Sequence, residues 1–295
     1  MLSDENIRFS NKVPVCPLDP GLVVLLSMLK DVQYSHRHIF TGSEVSTMNI
    51  LGHRLRIGVV IPSTNTSAQP EMDDLRPFGV TNHVSRMVIV DDTLTEESGF
   101  NSVIQEIYSA TAPAIQSLKD CGLSRVIVAV SPDAYWNGNN MHLQMLTYLQ
   151  ETAGDIGITM SADAIELALE KMGNVRRIGL ISPYTAIGDE AVSQFFVDKG
   201  YDILALANLG GQSPSRISVV SQDDLRHAVE VVNAPGVEAI VQVGTNVPMT
   251  IFANVAEQWT GKPVIANNAV LYWHALRTSG VQDQFPGFGS LFSRY

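Results

Sequence analysis

The sequence predicts a single α/β protein built as two similar halves, each with a parallel β-sheet. Strand-like and helix-like patterns alternate along the chain, and two pairs of strand patterns recur in the same order. The composition is globular, with 45% hydrophobic and 17% charged residues in a chain of 295. A chain of this length can form one large domain or two small ones.

The strand patterns are short β-branched runs that end at small or polar residues. The first, RIGVVIP at 56–62, is typical of a strand buried on both faces of a parallel sheet. The others lie at 83–90, 125–130, 177–182, 202–206 and 239–244. Between them, apolar residues recur at helical spacing around Val103–Leu118, Ala162–Leu169 and Leu225–Val232. Strands alternating with helices favour parallel sheets with crossover helices.

Self-comparison indicates an internal duplication. The segment RLRIGVVIPST at 54–64 resembles VRRIGLISPYT at 175–185, and SRVIVAVSPD at 124–133 resembles VEAIVQVGTN at 237–246. Two matches in the same order are the pattern of a duplicated fold. We expect a first half at 54–160 completed by a C-terminal helix in 264–295, and a second half at 161–263. Residues 1–53 carry no clear period and are either a small extension or a translated region before a start at Met48.

Composition and motifs exclude several classes of function. The net charge of −11 without a basic cluster argues against nucleic acid and against a polybasic membrane anchor. The apolar run at 22–29 is too short to span a bilayer, and the acidic start differs from a secretion signal, so we expect a cytoplasmic protein. Neither the two cysteines nor the scattered histidines have metal-ligand spacing, and nucleotide fingerprints are absent, so we expect no metal and no cofactor. A homo-oligomer stays open.

Four loops that follow strands, at 62–66, 131–138, 182–185 and 244–248, are the predicted site, because ligands of open parallel sheets bind beyond the carboxyl ends of the strands. These loops are rich in hydroxyl and amide groups and nearly free of charge, which suits a small carboxylate held by neutral donors. The predicted substrate-binding residues are Ser63, Thr64, Asn65, Ser131, Gly244, Thr245 and Asn246. The alternative for the hydroxyl and amide residues is a role as turn formers or helix caps.

Two residues of these loops are predicted to be catalytic. Asp133 is the acidic side chain of the four loops, and partial burial beside Tyr135 and Trp136 would suit it to acid or base work. Its alternative is a helix cap. Tyr184 is predicted to donate to a carboxylate or enediolate oxygen, with a core tyrosine as its alternative.

Three further residues favour structural roles. Arg86 stands at an otherwise apolar strand position, and we expect an ion pair with an acid such as Glu71. His274 and Cys121 are expected to be structural.

A family resemblance rests on the order of the motifs. PSTNT, VSRM, SPY after the second RIGL strand, GTN, and GKPVIANN followed by Trp273-His274 and Leu276-Arg277 occur in that order. From about 55 to 277 the chain resembles the aspartate/glutamate racemase superfamily, in the branch with arylmalonate decarboxylase and maleate cis-trans isomerase. The loop pattern Ser131-x-Asp133-x-Tyr135-Trp136-x-Gly138 resembles a group of that branch that includes ectoine-utilisation protein A.

The resemblance implies a two-half α/β fold with the active site in the cleft between the halves. It also implies two strand-end positions that can hold catalytic cysteines, and these fall at about Val130 and at Gly244. Neither residue can act as a thiolate nucleophile, acid or base.

The hypothesis is therefore an enzyme of this superfamily that acts on a small carboxylic acid without a thiol. It would be a decarboxylase-like lyase or an isomerase that forms an enediolate-type intermediate. The alternatives are a non-catalytic carboxylate-binding or regulatory protein, and a hydrolase in which Asp133 activates water or Ser131 is the nucleophile.

Overall fold

The computed structural model describes residues 50–130 and 138–295. Contacts between Cα atoms divide the chain at Met48, and all described residues belong to the second unit. Predicted site residues Ser131 and Asp133 lie outside the described residues, as does the segment 1–49. No helix among the described residues is long and apolar enough to cross a membrane.

Two four-stranded parallel sheets form the framework, as the sequence predicts. Their strands are β1 (Leu55–Pro62), β2 (Val80–Met87), β3 (Arg125–Val128), β4 (Gly157–Thr159), β5 (Arg177–Ser182), β6 (Asp202–Asn208), β7 (Ala239–Gln242) and β8 (Val264–Ile265). The first sheet has the order β2-β1-β3-β4 and the second has β6-β5-β7-β8. The two halves therefore share one topology, which confirms the predicted fold class.

A helix follows every strand. The helices are α1 (Ala68–Asp74), α2 (Glu97–Gln116), α3 (Gly138–Ala153), α4 (Ser161–Lys171), α5 (Ala186–Asp198), α6 (Gln222–Val232), α7 (Thr250–Thr260) and α8 (Asn267–Thr278), with α9 (Gly289–Arg294) at the end. Helix α8 packs against α4 and also contacts α1, β3 and β4 of the first half. Strand β8, just before α8, pairs with β7 in the second sheet.

Burial of the central strands explains why their sequence patterns are so apolar. In β1 the side chains of Val59, Val60 and Ile61 are buried, and in β5 those of Leu180 and Ile181 are buried. Helices cover both faces of such a sheet, so nearly every position of a central strand needs an apolar side chain. Burial of this kind is the main favourable term in folding.

Strand β2 differs from its predicted bounds. It runs three residues earlier and ends at Met87, because it pairs with β1 along the whole register from Leu55↔Val80 to Pro62↔Met87. The apolar run that follows, Val88 to Val90, leaves the sheet as a loop. Strands β4 and β8 were not predicted, since three and two residues are too short for a period to be visible.

Candidate functional site

Backbone hydrogen bonds show which positions of the two halves correspond. Ala129 N–H donates to Val60 O at 2.8 Å, and Val243 N–H donates to Ile181 O at 3.0 Å. The next residues, Val130 and Gly244, are therefore equivalent. The sequence self-comparison pairs Ser131 with Gly244 instead. The structural alignment of the two halves therefore differs from the sequence alignment by one residue here. Val130 and Gly244 are also the two positions that the family resemblance singled out.

A cavity lies where these strand ends meet, and both halves line it. Its volume is about 50 Å³. A single buried water needs roughly 10–15 Å³, so the cavity has room for a few waters or a very small ligand. The lining residues include the strand-end positions Pro62, Thr64, Asn65, Val130, Tyr184, Gly244, Thr245 and Asn246. The structure thus brings together six of the predicted site residues, from Thr64 to Asn246.

Ser63 does not line the cavity. Its side chain is exposed and its hydroxyl accepts from Ile89 N–H at 3.2 Å, which holds the chain after β2 to the loop after β1. Arg86 is also used on this loop, where it donates to Asn65 O at 3.0 Å. The expected ion pair between Arg86 and Glu71 is wrong, because Glu71 faces other partners on α7 and α8.

The polar side chains of the cavity are hydrogen-bonded across the two halves. Asn65 Nδ2 donates to Thr245 Oγ1 at 3.0 Å, and Thr245 Oγ1 donates to Ala129 O at 2.8 Å. Asn65 Oδ1 accepts from Ser67 N–H and Ala68 N–H, which satisfies donors at the start of α1. Asn246 Oδ1 accepts from Thr66 N–H at 2.9 Å. These side chains therefore join the halves as well as lining the cavity.

Backbone N–H groups are the hydrogen-bond donors left over among the described lining residues. The N–H groups of Gly244, Thr245 and Asn246 donate no hydrogen bond to any part of residues 50–130 or 138–295. All three residues are buried. Buried N–H groups without a partner are costly, and successive N–H groups in a turn form a concavity that binds anions.

Gly244 has a backbone conformation that favours glycine. Its φ is +96°, and a Cβ atom built there would lie 2.4 Å from Pro183 Cγ and 3.6 Å from the Tyr184 hydroxyl. A side chain at this position would therefore require movement of the Pro183 ring. The described cysteine, Cys121, lies just before β3, at the opposite end of the sheet from the cavity.

Tyr184 is placed on the cavity wall by the turn from β5 into α5. The side chain is buried, and its ring carries the hydroxyl toward position 244. Asn208 Nδ2 hydrogen-bonds the carbonyl oxygen of Tyr184, and Tyr184 N–H donates to Ser182 Oγ at 3.2 Å. The backbone around the tyrosine is thus held from two sides.

The other described residues of the cavity wall are apolar and were not predicted. It consists of Ile89, Leu94, Phe100, Val103, Ile104, Ile107, Pro214 and Ile217. The α2 residues of this set recur at helical spacing in the sequence. That spacing identifies the buried face of the helix, but it does not show that this face lines a cavity. Among the described lining residues none is charged.

Two loops cover the cavity, and we call them the cover loops: residues 88–96 and residues 209–218. Leu94 N–H donates to Gln212 O at 2.7 Å, and Thr185 Oγ1 donates to Leu94 O at 2.5 Å. Asp91 accepts from Ser215 N–H at 2.8 Å and from the Ser215 hydroxyl. Burial by itself raises the pKa of Asp91, but the hydrogen bonds from Ser215 outweigh it and lower the pKa.

His274 lies on α8 near the first sheet, and its contacts are those of a structural residue. Its Nδ1 and Thr159 Oγ1 are 3.0 Å apart, and the side chain is buried. Burial, with a smaller effect of the Arg125 charge, lowers the pKa of His274 to about 4. The imidazole is therefore neutral at pH 7. No group of three or more histidine, cysteine or acidic side chains within the described ranges could hold a metal ion.

Comparison with known proteins supports the fold and the family. Nocardia farcinica maleate cis-trans isomerase, in a form with a covalently bound succinylcysteine intermediate, superimposes with a TM-score of 0.74 at 20% identity, over 82% of this chain and 99% of that one. A Pseudomonas putida maleate isomerase with maleate gives 0.73 at 21% identity, over 81% and 97%. A mutant of arylmalonate decarboxylase in a liganded form gives 0.69 at 19% identity, over 82% and 100%.

These structural similarities are at low identity and establish the fold. No curated protein sequence matches significantly. The family model of arylmalonate decarboxylase matches residues 57–292, which span both sheets and the whole cavity. The chain therefore belongs to the arylmalonate decarboxylase family.

Proposed function

We propose that this protein is a decarboxylase-like lyase that removes carbon dioxide from a small malonate-type acid without a thiol. The observation that carries the proposal is the pairing of two surfaces in one cavity. Gly244, Thr245 and Asn246, whose backbone N–H groups have no hydrogen-bond partner among the described residues, line the cavity together with described residues that are apolar and uncharged. The mutants and complexes of the structural relatives, with maleate or a succinylcysteine, concern small dicarboxylic acids as well.

The two surfaces suit the two carboxylates of a malonate differently. The N–H groups would hold the carboxylate that stays. The other carboxylate would face the apolar wall, where a charged group is poorly solvated and neutral carbon dioxide is not penalised. The difference favours cleavage of the bond between the α-carbon and that carboxyl carbon.

Cleavage leaves the electron pair on the α-carbon, delocalised into the remaining carboxylate as an enediolate. The same N–H groups then face a more negative oxygen pair, so their hydrogen bonds strengthen as the reaction proceeds. We assign Tyr184 as a further donor to this enediolate. We assign Asp133, predicted to do acid or base work, as the acid that returns a proton to the α-carbon, which completes the monocarboxylate product.

The test is release of carbon dioxide from malonate and short α-substituted malonates by the purified protein. Replacing Tyr184→Phe should lower kcat/KM by about 100-fold, since loss of one donor to a developing oxyanion typically has that effect. Tyr272→Phe is the control, because its hydroxyl is bonded to Asn82 Oδ1 at 2.8 Å and Tyr272 does not line the cavity.

Full turnover by the Tyr184→Phe protein would contradict the assigned role. Malonate binding by calorimetry without release of carbon dioxide would favour a carboxylate-binding protein over a lyase. Conversion of maleate to its trans isomer without loss of carbon would favour an isomerase.

A further inference from the structure

Glu71 is a partly buried acidic residue outside the cavity lining. It lies on α1 of the first half, and its carboxylate faces two helices that follow strands of the second sheet. Glu71 Oε1 accepts from Thr250 N–H, the first residue of α7, at 2.7 Å. Glu71 Oε2 accepts from Asn268 Nδ2 of α8 at 2.7 Å.

Asn268 connects this carboxylate to the cavity. The same Nδ2 atom also donates to Thr245 O at 2.9 Å, and Asn268 is buried. With a carboxylate and a carbonyl oxygen both facing this amide nitrogen, the orientation of the Asn268 side chain is determined. One acidic side chain thus contacts the chain at Thr250 directly and at Thr245 through a single amide group.

These two points lie near the start and at the end of the segment 244–250. This segment contains three cavity-lining residues, Gly244, Thr245 and Asn246, whose N–H groups have no partner among the described residues. Ser67, at the start of α1, adds a third contact by donating to Asn246 O at 2.9 Å. Helix α1 therefore holds the anion-binding loop of the other half along its length.

The carboxylate is kept there at a cost in stability. Desolvation raises the pKa of Glu71, only partly offset by its hydrogen bonds with Asn268 and Thr250, and Asp74 on the same helix raises it further. A raised carboxyl pKa means that the folded chain binds the proton more tightly than the unfolded chain, so stability falls as pH rises and Glu71 ionises. Perturbed buried acids of this kind cluster near functional sites.

We propose that Glu71 is a positioning residue, which acts through Asn268 and Thr250 to hold the N–H groups of Gly244, Thr245 and Asn246 in the geometry that binds a carboxylate. This role rests on the proposed function for the identity of the anion. The order of the loop itself can be measured without any ligand.

The test uses the full chain and the variants Glu71→Gln and Asn268→Ala, with Tyr272→Phe as control. Gln has the size of Glu, but one of the two accepting oxygens becomes an NH2 group, which would face Thr250 N–H or Asn268 Nδ2 as a donor. Tyr272→Phe removes a different buried hydrogen bond of α8, the one to Asn82 on β2. Hydrogen–deuterium exchange of the peptide spanning 243–250 is measured without ligand, and malonate affinity is measured by calorimetry.

We expect exchange at 243–250 to increase at least tenfold in Glu71→Gln and Asn268→Ala, and to stay at the wild-type rate in Tyr272→Phe. We expect malonate to bind about tenfold more weakly to the first two variants, the scale of a lost hydrogen bond to a charged group. The increase should be confined to 243–250, whereas a general loss of stability would raise exchange in peptides across the chain.

Unchanged exchange and unchanged malonate affinity in both variants would overturn the role of Glu71. Faster exchange with unchanged affinity would also overturn it, since the loop would then not need to be held. Faster exchange in variants of a protein that does not bind malonate at all would leave Glu71 holding the loop and would refute the proposed function instead.

Discussion

At the scale of single residues, Gly244 is one of two residues at which the sequence departs from the family resemblance. The family resemblance implies a thiol position there, and the sequence has glycine. The backbone explains why that residue tolerates little else, because φ is +96° and the Pro183 ring occupies the place of a Cβ atom. Small size at position 244 also leaves room beside the Tyr184 hydroxyl.

Replacing Gly244→Ala should therefore destabilise the protein more than the same change at another glycine with positive φ. Gly261 is the matched control, since its φ is +67° and a Cβ atom there would meet nothing within 4 Å. We expect Gly261→Ala to cost about 1–2 kcal/mol from backbone conformation alone. Gly244→Ala should cost a further amount of about 1–3 kcal/mol from the clash with Pro183.

Urea unfolding followed by circular dichroism measures both values. Equal losses in the two variants would show that the Pro183 ring moves aside without cost. In that case position 244 could accept a cysteine, and the steric reason for its glycine would be wrong.

At the scale of elements, the cover loops decide how a ligand enters. They meet over the cavity through Leu94 and Gln212 and through Asp91 and Ser215. Ile89 and Leu94 of one loop and Pro214 and Ile217 of the other complete the apolar wall. Because the cavity beneath them is only about 50 Å³, we expect these loops to separate when a dicarboxylate enters.

Asp91→Asn should weaken the contact between the cover loops, because an amide group is a poorer acceptor than a carboxylate for Ser215 N–H and the Ser215 hydroxyl. We expect faster hydrogen–deuterium exchange at 88–96 and 209–218 with little change in global stability, since Asp91 is exposed. Asp92→Asn is the control, as Asp92 accepts only from the neighbouring Thr93 N–H within the described residues.

The sign of the pH effect follows from the same contact. The pKa of Asp91 is lowered, so its contribution is present above the ordinary aspartate range and is lost as pH falls through the lowered value. Exchange at the cover loops that is identical in the two variants would exclude Asp91 as the residue that holds them together.

At the scale of the whole molecule, two copies of one topology meet at their strand ends, and polar side chains join them. The predicted division at 160 and 263 stays a prediction; across it, α4 of the second half packs on α8, which was assigned to the first half. His274 lies on α8, and its buried ring is hydrogen-bonded to Thr159 at the end of β4. Its burial affects the free energy of unfolding.

The pH dependence of folding should report on His274. Its pKa is lowered to about 4, against an ordinary value of 6.5, so between these values the unfolded chain binds a proton that the folded chain does not. Stability is therefore lost as pH falls through this window. From pH 7 to pH 5 the wild type should lose about 2 kcal/mol more than His274→Gln.

The measurement is urea unfolding of both proteins at the two pH values. Parallel losses in wild type and variant would show that other groups cause the acid sensitivity and that His274 is not desolvated to this degree.

The sequence by itself determined the α/β class, the parallel sheets and the repeated order of their strands. These follow from periods of two and 3.6 residues and from local similarity, which neighbouring residues along the chain carry. It also identified most polar residues of the cavity, because loops after parallel strands converge at one edge of the sheet. Thr64, Asn65, Tyr184 and Thr245 were predicted in this way.

Only the tertiary structure decided which residues contact each other across the chain. Leu94, Phe100 and Ile217 line the cavity, and Glu71 accepts a hydrogen bond from Thr250 N–H, although nothing near these residues in sequence marks them as part of a site. The expected ion pair of Arg86 with Glu71 was wrong for the same reason. Opposite charges favour an ion pair, but they do not determine which two residues form it. Burial, hydrogen-bond partners and the course of a loop such as 88–90 depend on contacts between residues far apart in the chain, and these contacts exist only once the two halves are packed together.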